Sequence, residues 1–523
     1  MRGAVAAGHQ LTAEAGARIL SEGGNAVDAC IAAAFMSWVA ESPLTGPGAG
    51  GFMLVHRARD RSTRLLDFFV STPGLGAPAR RPAEMEAVDV DFSGESTQMF
   101  HIGSASCAVP GAAAGLHAAH RRFGSLPWRA LIEPATEAAQ TGIELTRPQA
   151  YLHAILDLIL RHTEEGRRVY GVGGARLGPG DVLRLPDLAG TLERLAEQPA
   201  DLYTGELAAA IVGHLEATGG AVTADDLRRY RVIWRRPVRA GFRGCVFESN
   251  PPPSSGGVLI GYGLELLDRL AADGRAGAPG STAALAALVE VMREQDRARQ
   301  GRFTTRLHRG GLVRQLFGEG NIKAALKRIE AGAAGAVSAA PPGGTTHISV
   351  IDADGNAASL SASTGSGSGV IVPRTGITLN NMLGEYDLNP GGRVRAAGHR
   401  MTSMMAPSIV LREGTPRLVV GSAGSVRLRG AIMQVVVNVV GHGLPVGEAI
   451  DRPRVHVDEP HVHCEGGLDA GSVDELEAAG YDVVRWRRRN LFFGGAAAVE
   501  QADDGSLAAA GDPRRGGYGV VVG

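Results

Sequence analysis

A threonine that follows a run of small residues has the most direct chemical meaning in this sequence. Residues 331–344 consist only of Ala, Gly, Pro, Ser and Val, and a strand-like segment begins at Thr345. This composition predicts a flexible, exposed linker. Cleavage of the Gly344–Thr345 bond would free an α-amine, whose pKa of about 7.7–8.0 suits a base at neutral pH. Thr345 would then supply both nucleophile and base, although many ordinary strands also begin with threonine.

Two other polar clusters each allow two interpretations. The Ser- and Gly-rich run 363–369 is either a phosphate-binding loop or a mobile or substrate-facing loop, and the Lys-Ser/Thr that ends a P-loop is missing. His456, His461 and His463 are either metal ligands or part of a polar edge strand or surface segment, since their spacing matches no specific zinc motif.

Composition limits the class of protein. The 523 residues are 44% hydrophobic and 20% charged, which predicts a globular chain with a large core and excludes a wholly disordered one. A net charge of −1 does not favour binding to nucleic acid or to an anionic membrane. Four widely separated cysteines predict free, buried thiols. Neither a signal-peptide core nor an uninterrupted apolar stretch of membrane-spanning length is found, so we expect a cytoplasmic protein.

The elements that must position Thr345 are predicted from local patterns. Segments 345–351 and 357–363 flank a turn-forming Asp-Ala-Asp-Gly-Asn sequence, which predicts a hairpin that begins at Thr345 and ends at Ser363. A second hairpin is predicted over segments 52–58 and 64–70. Residues 1–40 are predicted to form two helices, the first of them capped by Thr12. With a mostly helical middle and a β-rich final third, the chain is predicted to form layered α/β structure.

Long motifs throughout the chain resemble the gamma-glutamyltransferase (gamma-glutamyl transpeptidase) family, a branch of the N-terminal nucleophile hydrolases. The resemblance implies a four-layer αββα sandwich, in which one precursor cuts itself into a large segment, 1–344, and a small segment, 345–523, that together form one fold. The motifs that carry it include GGNAVDACIAAAF, GPGAGGFMLVH, VPGAAAGLHAAHRRFGSLPW, PPPSSGG, TTHISVIDADGNAASL, GITLNN and GSAGSVR.

The resemblance also implies a role for individual residues. Thr345 would be the nucleophile, and the Ser363 hydroxyl would contact its amine. The backbone N–H groups of Gly424 and Ser425 would form an oxyanion hole for the tetrahedral intermediate. Thr402 and Ser403 fall where the family binds a substrate carboxylate.

The substrate pocket departs from the family pattern. Phe69 stands where family members carry an arginine that binds the α-carboxylate of a γ-glutamyl group, and phenylalanine cannot replace such a charged hydrogen bond. Asn381 ends the GITLNN motif, and Glu385 after it is the nearest equivalent of the acidic residue that binds the α-amine. The catalytic residues are thus expected to be kept while the glutamyl pocket is rebuilt.

The function predicted from this resemblance is cleavage of γ-glutamyl-like amides through a threonine acyl-enzyme that water or an amine acceptor resolves. The substrate would be a small amide or amino-acid-derived molecule, and no metal or organic cofactor is implied. The two fragments would form a heterodimer, alone or within a larger assembly. One alternative is a carbon–carbon bond hydrolase acting on a proline-derived intermediate in natural-product biosynthesis, and another is a non-catalytic binding homologue.

Overall fold

The computed structural model describes residues 2–76, 83–91, 97–332, 344–385, 388, 396–424 and 427–523. Two large antiparallel sheets dominate it, in the orders β4-β3-β2-β8-β7-β1-β13 and β5-β6-β9-β10-β11-β12. Their strands are β1 (Gly3–Ala7), β2 (Gly50–Arg57), β3 (Ser62–Phe68), β4 (Ile233–Arg235), β5 (Val238–Phe242), β6 (Cys245–Ser249), β7 (Thr346–Asp352), β8 (Ala357–Ser363), β9 (Ser408–Arg412), β10 (Thr415–Ala423), β11 (Gly495–Gln501), β12 (Leu507–Gly511) and β13 (Tyr518–Val522).

Helices cover the outer sides of both sheets. Helices α1 to α3 pack on the seven-stranded sheet, and α12, α17 and α18 pack on the six-stranded sheet. The helices are α1 (Gln10–Ser21), α2 (Ala26–Ala40), α3 (Ala112–Phe123), α4 (Trp128–Thr141), α5 (Arg147–Ile155), α6 (Asp157–Leu160), α7 (Glu164–Val169), α8 (Pro186–Glu197), α9 (Asp201–Thr204), α10 (Glu206–Thr218), α11 (Ala224–Arg229), α12 (Gly256–Ala272), α13 (Thr282–Ala298), α14 (Phe303–Arg309), α15 (Leu312–Leu316), α16 (Glu319–Glu330), α17 (Arg427–Val436), α18 (Val446–Asp451) and α19 (Ala470–Ala478). Among the described helices, none has the length and apolar character needed to span a membrane.

Alternation along the strands separates two hydrophobic cores. In β1, Val5 and Ala7 belong to the core beneath α1 and α2, whereas Ala4 and Ala6 belong to the core that includes the second sheet. This is the two-residue period expected of a strand whose two faces are both covered. The result is the four-layer αββα sandwich that the resemblance implied.

A buried histidine near the start of β7, close to Thr345, joins the two sheets. The ring nitrogens of His347 lie 2.8 Å from Ser361 Oγ and 2.9 Å from Ser349 Oγ, and Ser349 donates to the Ala497 carbonyl across the sandwich. Burial lowers the pKa of His347 to about 3, so the ring is neutral. Opposite it, a Cβ on Gly421 would lie 2.2 Å from the ring, so only glycine leaves the required space. The contact fixes β7 against the second sheet.

The predicted hairpins are confirmed, but the first forty residues are not simply a helix pair. Strands β7 and β8 pair with Thr346 opposite Ala362, and β2 pairs with β3. The opening segment forms β1, which lies between β7 and β13. Thr12 does not cap α1, because the cap is the His9 side chain. The Thr12 hydroxyl instead donates to Glu41 at 2.9 Å.

Two further predictions can be compared with the structure. All four cysteines are free and buried, as predicted. The histidine segment, by contrast, is not simply a polar edge or surface segment. His456 and His463 are buried, and His463 Nδ1 accepts a hydrogen bond from Trp486 Nε1 at 3.0 Å, whereas His461 is exposed and lies 3.0 Å from Asp482.

Candidate active site

Thr345 lies directly before β7, in the middle of the seven-stranded sheet, and only 4% of its surface is exposed. The antiparallel register places Ser363, the last residue of β8, beside it. The Ser363 hydroxyl donates a short hydrogen bond to the Gly344 carbonyl and accepts one from the Gly365 N–H at 2.8 Å. The Gly344 N–H in turn donates to the Gly365 carbonyl at 2.9 Å. The predicted cleavage junction is therefore held by the loop that follows β8. Residues 333–343 of the predicted linker lie outside the described residues.

The glycine-rich run after β8 is buried, and Gly365 lines the cavity beside Thr345. Gly365 has a φ of +74°, and a Cβ there would lie 2.0 Å from Asn381 Oδ1. The Ser366 N–H donates to the same Asn381 oxygen at 3.0 Å and to Glu385 Oε1 at 3.2 Å. Asn381 and Glu385 thus hold the loop, and the substrate-facing interpretation of this run agrees with its position.

A cavity reaches Thr345 from the β8 side, and we call it the apolar pocket. Its wall is mainly apolar, and Glu385 is the one charged side chain among its described lining residues. These residues are Phe69, Gly344, Thr345, Ser363, Gly365, Met382, Glu385, Leu388, Ser403, Met404, Met405 and Leu428.

Phe69 forms part of this wall and is almost fully buried. Its ring stacks on Phe52 with 5.4 Å between the centroids. Arg400 is close in sequence to the pocket but is otherwise engaged: its guanidinium lies 3.1 Å from Asp67 and donates to the Tyr230 hydroxyl at 2.8 Å. Arg427 stacks on the Phe492 ring at 4.3 Å. Neither arginine lines the pocket, so neither replaces the missing cation there.

The Thr402–Ser403 pair is divided between two environments. Ser403 lines the apolar pocket, and its hydroxyl accepts from the Met405 N–H at 3.1 Å. The Thr402 hydroxyl lies 2.9 Å from His308 Nε2 and is not directed at the pocket wall formed by the described residues.

The predicted oxyanion hole begins at the end of β10. Gly424 directly follows this strand and has a φ of +123°, which favours glycine. Ser425 lies outside the described residues. The second N–H donor therefore stays a prediction.

Sequence reasoning missed the methionines of the pocket wall. Met404 and Met405 follow Ser403 directly, and Met382 and Leu428 complete the apolar lining. Three methionines within residues 401–405 were a usable signal, because flexible thioether side chains suit irregular binding surfaces. No group of three or more His, Cys, Asp or Glu residues in the described parts of the chain is arranged to hold a metal ion.

Two facing sheets between helical layers, with a threonine at the start of a central strand, define an N-terminal nucleophile hydrolase. The chain belongs to the gamma-glutamyltranspeptidase family, whose sequence profile matches residues 12–522. It is 31% identical to a glutathione hydrolase proenzyme of Pseudomonas aeruginosa, over 99% of this chain and 94% of the relative.

Acylases are equally similar. The chain is 32% identical to the Acylase ACY 1 proenzyme of Pseudomonas sp. strain SE83, over 100% of this chain and 94% of the relative. The crystal structure of a cephalosporin acylase from Bacillus halodurans superposes with a TM-score of 0.84 at 25% identity, covering 99% of this chain and 95% of the acylase. The protein is therefore an enzyme of the hydrolase or transferase type, and the non-catalytic alternative is not supported.

Proposed function

We propose that the protein is an autoprocessing amide hydrolase or acyltransferase that uses Thr345 as its nucleophile and accepts an acyl group without an α-carboxylate. The observation that carries this proposal is the pairing of a Gly344–Thr345 junction, held by Ser363 and with Thr345 buried, with an apolar pocket whose one described charge is negative. The proenzyme names of the relatives support the processing step for this chain.

The junction is arranged for self-cleavage. The Thr345 hydroxyl would attack the Gly344 carbonyl carbon, forming a C–O bond and breaking the C–N bond, with the proton passing to the departing nitrogen. Water would then hydrolyse the ester, leaving a Gly344 carboxylate and a free Thr345 amine. The hydrogen bond from Ser363 to the Gly344 carbonyl supports this course, because it polarises the carbon under attack.

Turnover would repeat the chemistry on an external amide. The free Thr345 amine takes the hydroxyl proton as the oxygen attacks the acyl carbon, and it returns the proton to the leaving amine. Water or an amine acceptor then releases the acyl group. The N–H groups of Gly424 and Ser425 would stabilise the oxyanion.

The nature of the pocket limits the acyl group. A γ-glutamyl group carries an α-carboxylate, which would lose hydration beside Phe69 and the methionines without gaining a cation. Glu385 can accept hydrogen bonds from an amine, so an amine-bearing or neutral acyl group is better suited.

Processing is tested by mass spectrometry of the purified protein. The wild type should split into fragments of 344 and 179 residues, roughly 36 and 19 kDa when scaled from 54.2 kDa. Thr345→Ala should stay a single chain, and Thr345→Ser should split more slowly because it keeps the hydroxyl. A fully active wild type that never splits would overturn the mechanism.

Substrate preference is tested with four 4-nitroanilides that differ only in the acyl group: butanoyl, 4-aminobutanoyl, glutaryl and γ-glutamyl. The first two should be cleaved with the higher kcat/KM, because they carry no carboxylate. Equal or better use of the γ-glutamyl compound would contradict the proposal. Failure on all four together with turnover of a small cyclic imino acid would favour the carbon–carbon hydrolase hypothesis.

A further inference from the structure

A second cavity reaches Thr345 from the opposite flank. The apolar pocket lies on the β8 side of Thr345, whereas this cavity is bordered by Gly8 and His9, which follow β1 on the other side of β7. Among the described residues, Thr345 is the one that lines both cavities. A substrate whose acyl carbon meets Thr345 in the apolar pocket can therefore extend its other half into the second cavity, which we call the arginine chamber.

Arg515 gives the chamber its charge. The Arg515 Nε and Nη1 atoms are buried and have no hydrogen-bond partner among the described residues. Burial lowers the pKa of Arg515 to about 10, so the side chain is still charged at neutral pH. The nearby Asp512 and Glu41 carboxyls partly offset this lowering of the pKa, but neither accepts a hydrogen bond from Nε or Nη1. A substrate carboxylate can satisfy such buried donors with two parallel hydrogen bonds.

The neighbouring charges are already committed. Arg514 is paired with Glu465 at 2.5 Å and with Asp512 at 3.1 Å, and Asp512 also lies 2.7 Å from Arg454. Glu41 accepts hydrogen bonds from the Thr12 and Thr346 hydroxyls. Burial raises the pKa of Glu41 to about 7, so a large part of it is protonated at neutral pH. Arg515 thus remains the available cation of the chamber.

The position of Arg515 relates it to the reacting centre. Its side chain passes so close to Gly495 that a Cβ there would lie 2.4 Å from Arg515 Cδ. Its Nη2 atom is 3.7 Å from where a Cβ on Gly424 would stand, beside the predicted oxyanion hole. The guanidinium therefore lies close to Gly424, and Arg515 and Thr345 line the same chamber.

The surface next to the chamber is also basic. A surface groove shares Pro148, Leu491 and Arg514 with the chamber wall. The same groove is lined by four exposed arginines, Arg147, Arg487, Arg488 and Arg489. Such a surface raises the local concentration of small anions.

We infer that the arginine chamber binds a carboxylate carried by the half of the substrate beyond the scissile bond, namely the leaving group of the donor or an amine acceptor. The inference deepens the proposed function, since it depends on acyl transfer at Thr345 for its catalytic meaning. It assigns recognition of that carboxylate to one residue and one cavity. Arg515 is the residue that sets this preference.

The kinetic test compares two leaving groups on the same acyl donor, 4-nitroaniline and 3-carboxy-4-nitroaniline. Arg515→Gln should lower kcat/KM for the carboxylated anilide tenfold or more and change the neutral one less than twofold. Arg515→Lys should fall between, and Arg314→Gln, an exposed arginine on α15, should change neither. An equal loss on both anilides would overturn the inference and point to a role at the oxyanion or in folding. The absence of any loss on either anilide would also overturn the inference.

A second variant guards against misfolding of Arg515→Gln. Gly495→Ala keeps the arginine but displaces its Cδ, so it should produce the same selective loss. Thermal unfolding of each variant shows whether the fold is kept. The inference would be contradicted if a folded Gly495→Ala protein kept the wild-type preference between the two anilides and Arg515→Gln also showed no selective loss.

A binding test separates this inference from the proposed function. Calorimetry should show 5-amino-2-nitrobenzoate binding to the wild type and binding at least tenfold weaker to Arg515→Gln, while 4-nitroaniline binds both proteins alike. Such binding in a protein that cleaves none of the anilides would keep the chamber assignment and reject the acyl-enzyme. Anilide cleavage by a wild type that binds the carboxylated ligand no better than the neutral one would keep the acyl-enzyme and reject the chamber assignment.

Discussion

Two cavities meet at Thr345, and the charged groups in their walls differ. The apolar pocket combines Phe69 and three methionines with the carboxylate of Glu385, whereas the arginine chamber contains Arg515, whose Nε and Nη1 atoms have no hydrogen-bond partner among the described residues. A carboxylate that enters the pocket loses hydration without gaining a cation, but the same group in the chamber gains one. The comparison teaches that an anionic substrate is not excluded from this enzyme. Its anionic group is expected on the other side of the scissile bond.

Adding a cation to the apolar pocket should produce the largest change. Phe69→Arg should raise kcat/KM for γ-glutamyl 4-nitroanilide by about 30-fold or more, because a desolvated charge pair is worth about 2–5 kcal/mol. Butanoyl 4-nitroanilide is the matched control, and its cleavage should not improve. Adding Arg515→Gln to this variant should move the carboxylate preference from the leaving group to the acyl group.

Removing the Ser363 hydroxyl from the wall of the apolar pocket should have the next largest effect. Ser363→Ala should lower turnover by about 5- to 150-fold, since one lost hydrogen bond to the Thr345 amine raises the barrier by roughly 1–3 kcal/mol. The loss should be the same for carboxylated and neutral leaving groups. Unchanged kinetics on a good substrate, measured on fully processed protein, would assign this role to another group, for which Thr364 is the first candidate.

Neutralising the charge of the apolar pocket should have a smaller and selective effect. Glu385→Gln should lower kcat/KM for 4-aminobutanoyl 4-nitroanilide about tenfold, which corresponds to about 1.4 kcal/mol. Cleavage of the butanoyl compound should be little changed, because it has no amine. Equal losses on both compounds would show that Glu385 acts mainly by holding the Ser366 N–H and the glycine loop.

The buried carboxyl of the chamber should influence stability rather than rate. The pKa of Glu41 is raised from 4.5 to about 7 by burial, so between these pH values the folded protein holds a proton that the unfolded chain releases. Its contribution to stability is therefore greatest below pH 4.5 and is lost as the pH rises through 7. The wild-type Tm should fall by a few degrees more than that of Glu41→Gln between pH 5 and 8.

Comparing the two proteins at each pH removes the contribution of other groups. The pKa values of His153 and His347 are lowered by burial to about 4 and about 3. Their contributions to the free energy of unfolding therefore increase as the pH rises, opposite to the contribution of Glu41. They are present in both proteins, so the difference isolates Glu41. Parallel curves for wild type and Glu41→Gln would show that this carboxyl is ionised throughout.

Local patterns predicted the parts of the site that lie close together in the chain. The turn between β7 and β8 brings Ser363 to Thr345 over fewer than twenty residues, so strand periodicity and turn residues suffice. The same reasoning failed for β1, whose small residues fit a helix or a strand equally and whose state is decided by pairing with β7 and β13.

The histidine segment shows the other limit of local reasoning. Its alternating polar residues resemble an exposed edge, but His463 is buried because Trp486 and Phe492 from later elements cover it. Side chains that arrive from distant parts of the chain decide burial, and their arrival has no local signal.

By itself the sequence determined the family, and it predicted the Gly344–Thr345 junction and the absence of a glutamyl-binding arginine at Phe69, because each of these is recorded in residue types at neighbouring positions. Only the tertiary structure showed that Arg400 is bound to Asp67, and that Arg515 Nε and Nη1 have no hydrogen-bond partner among the described residues. It also joined Glu41 to Thr346, 305 residues further along the chain. Hydrogen bonding and desolvation depend on distance in space, so charges that look alike in the sequence acquire different roles only when the sheets are packed.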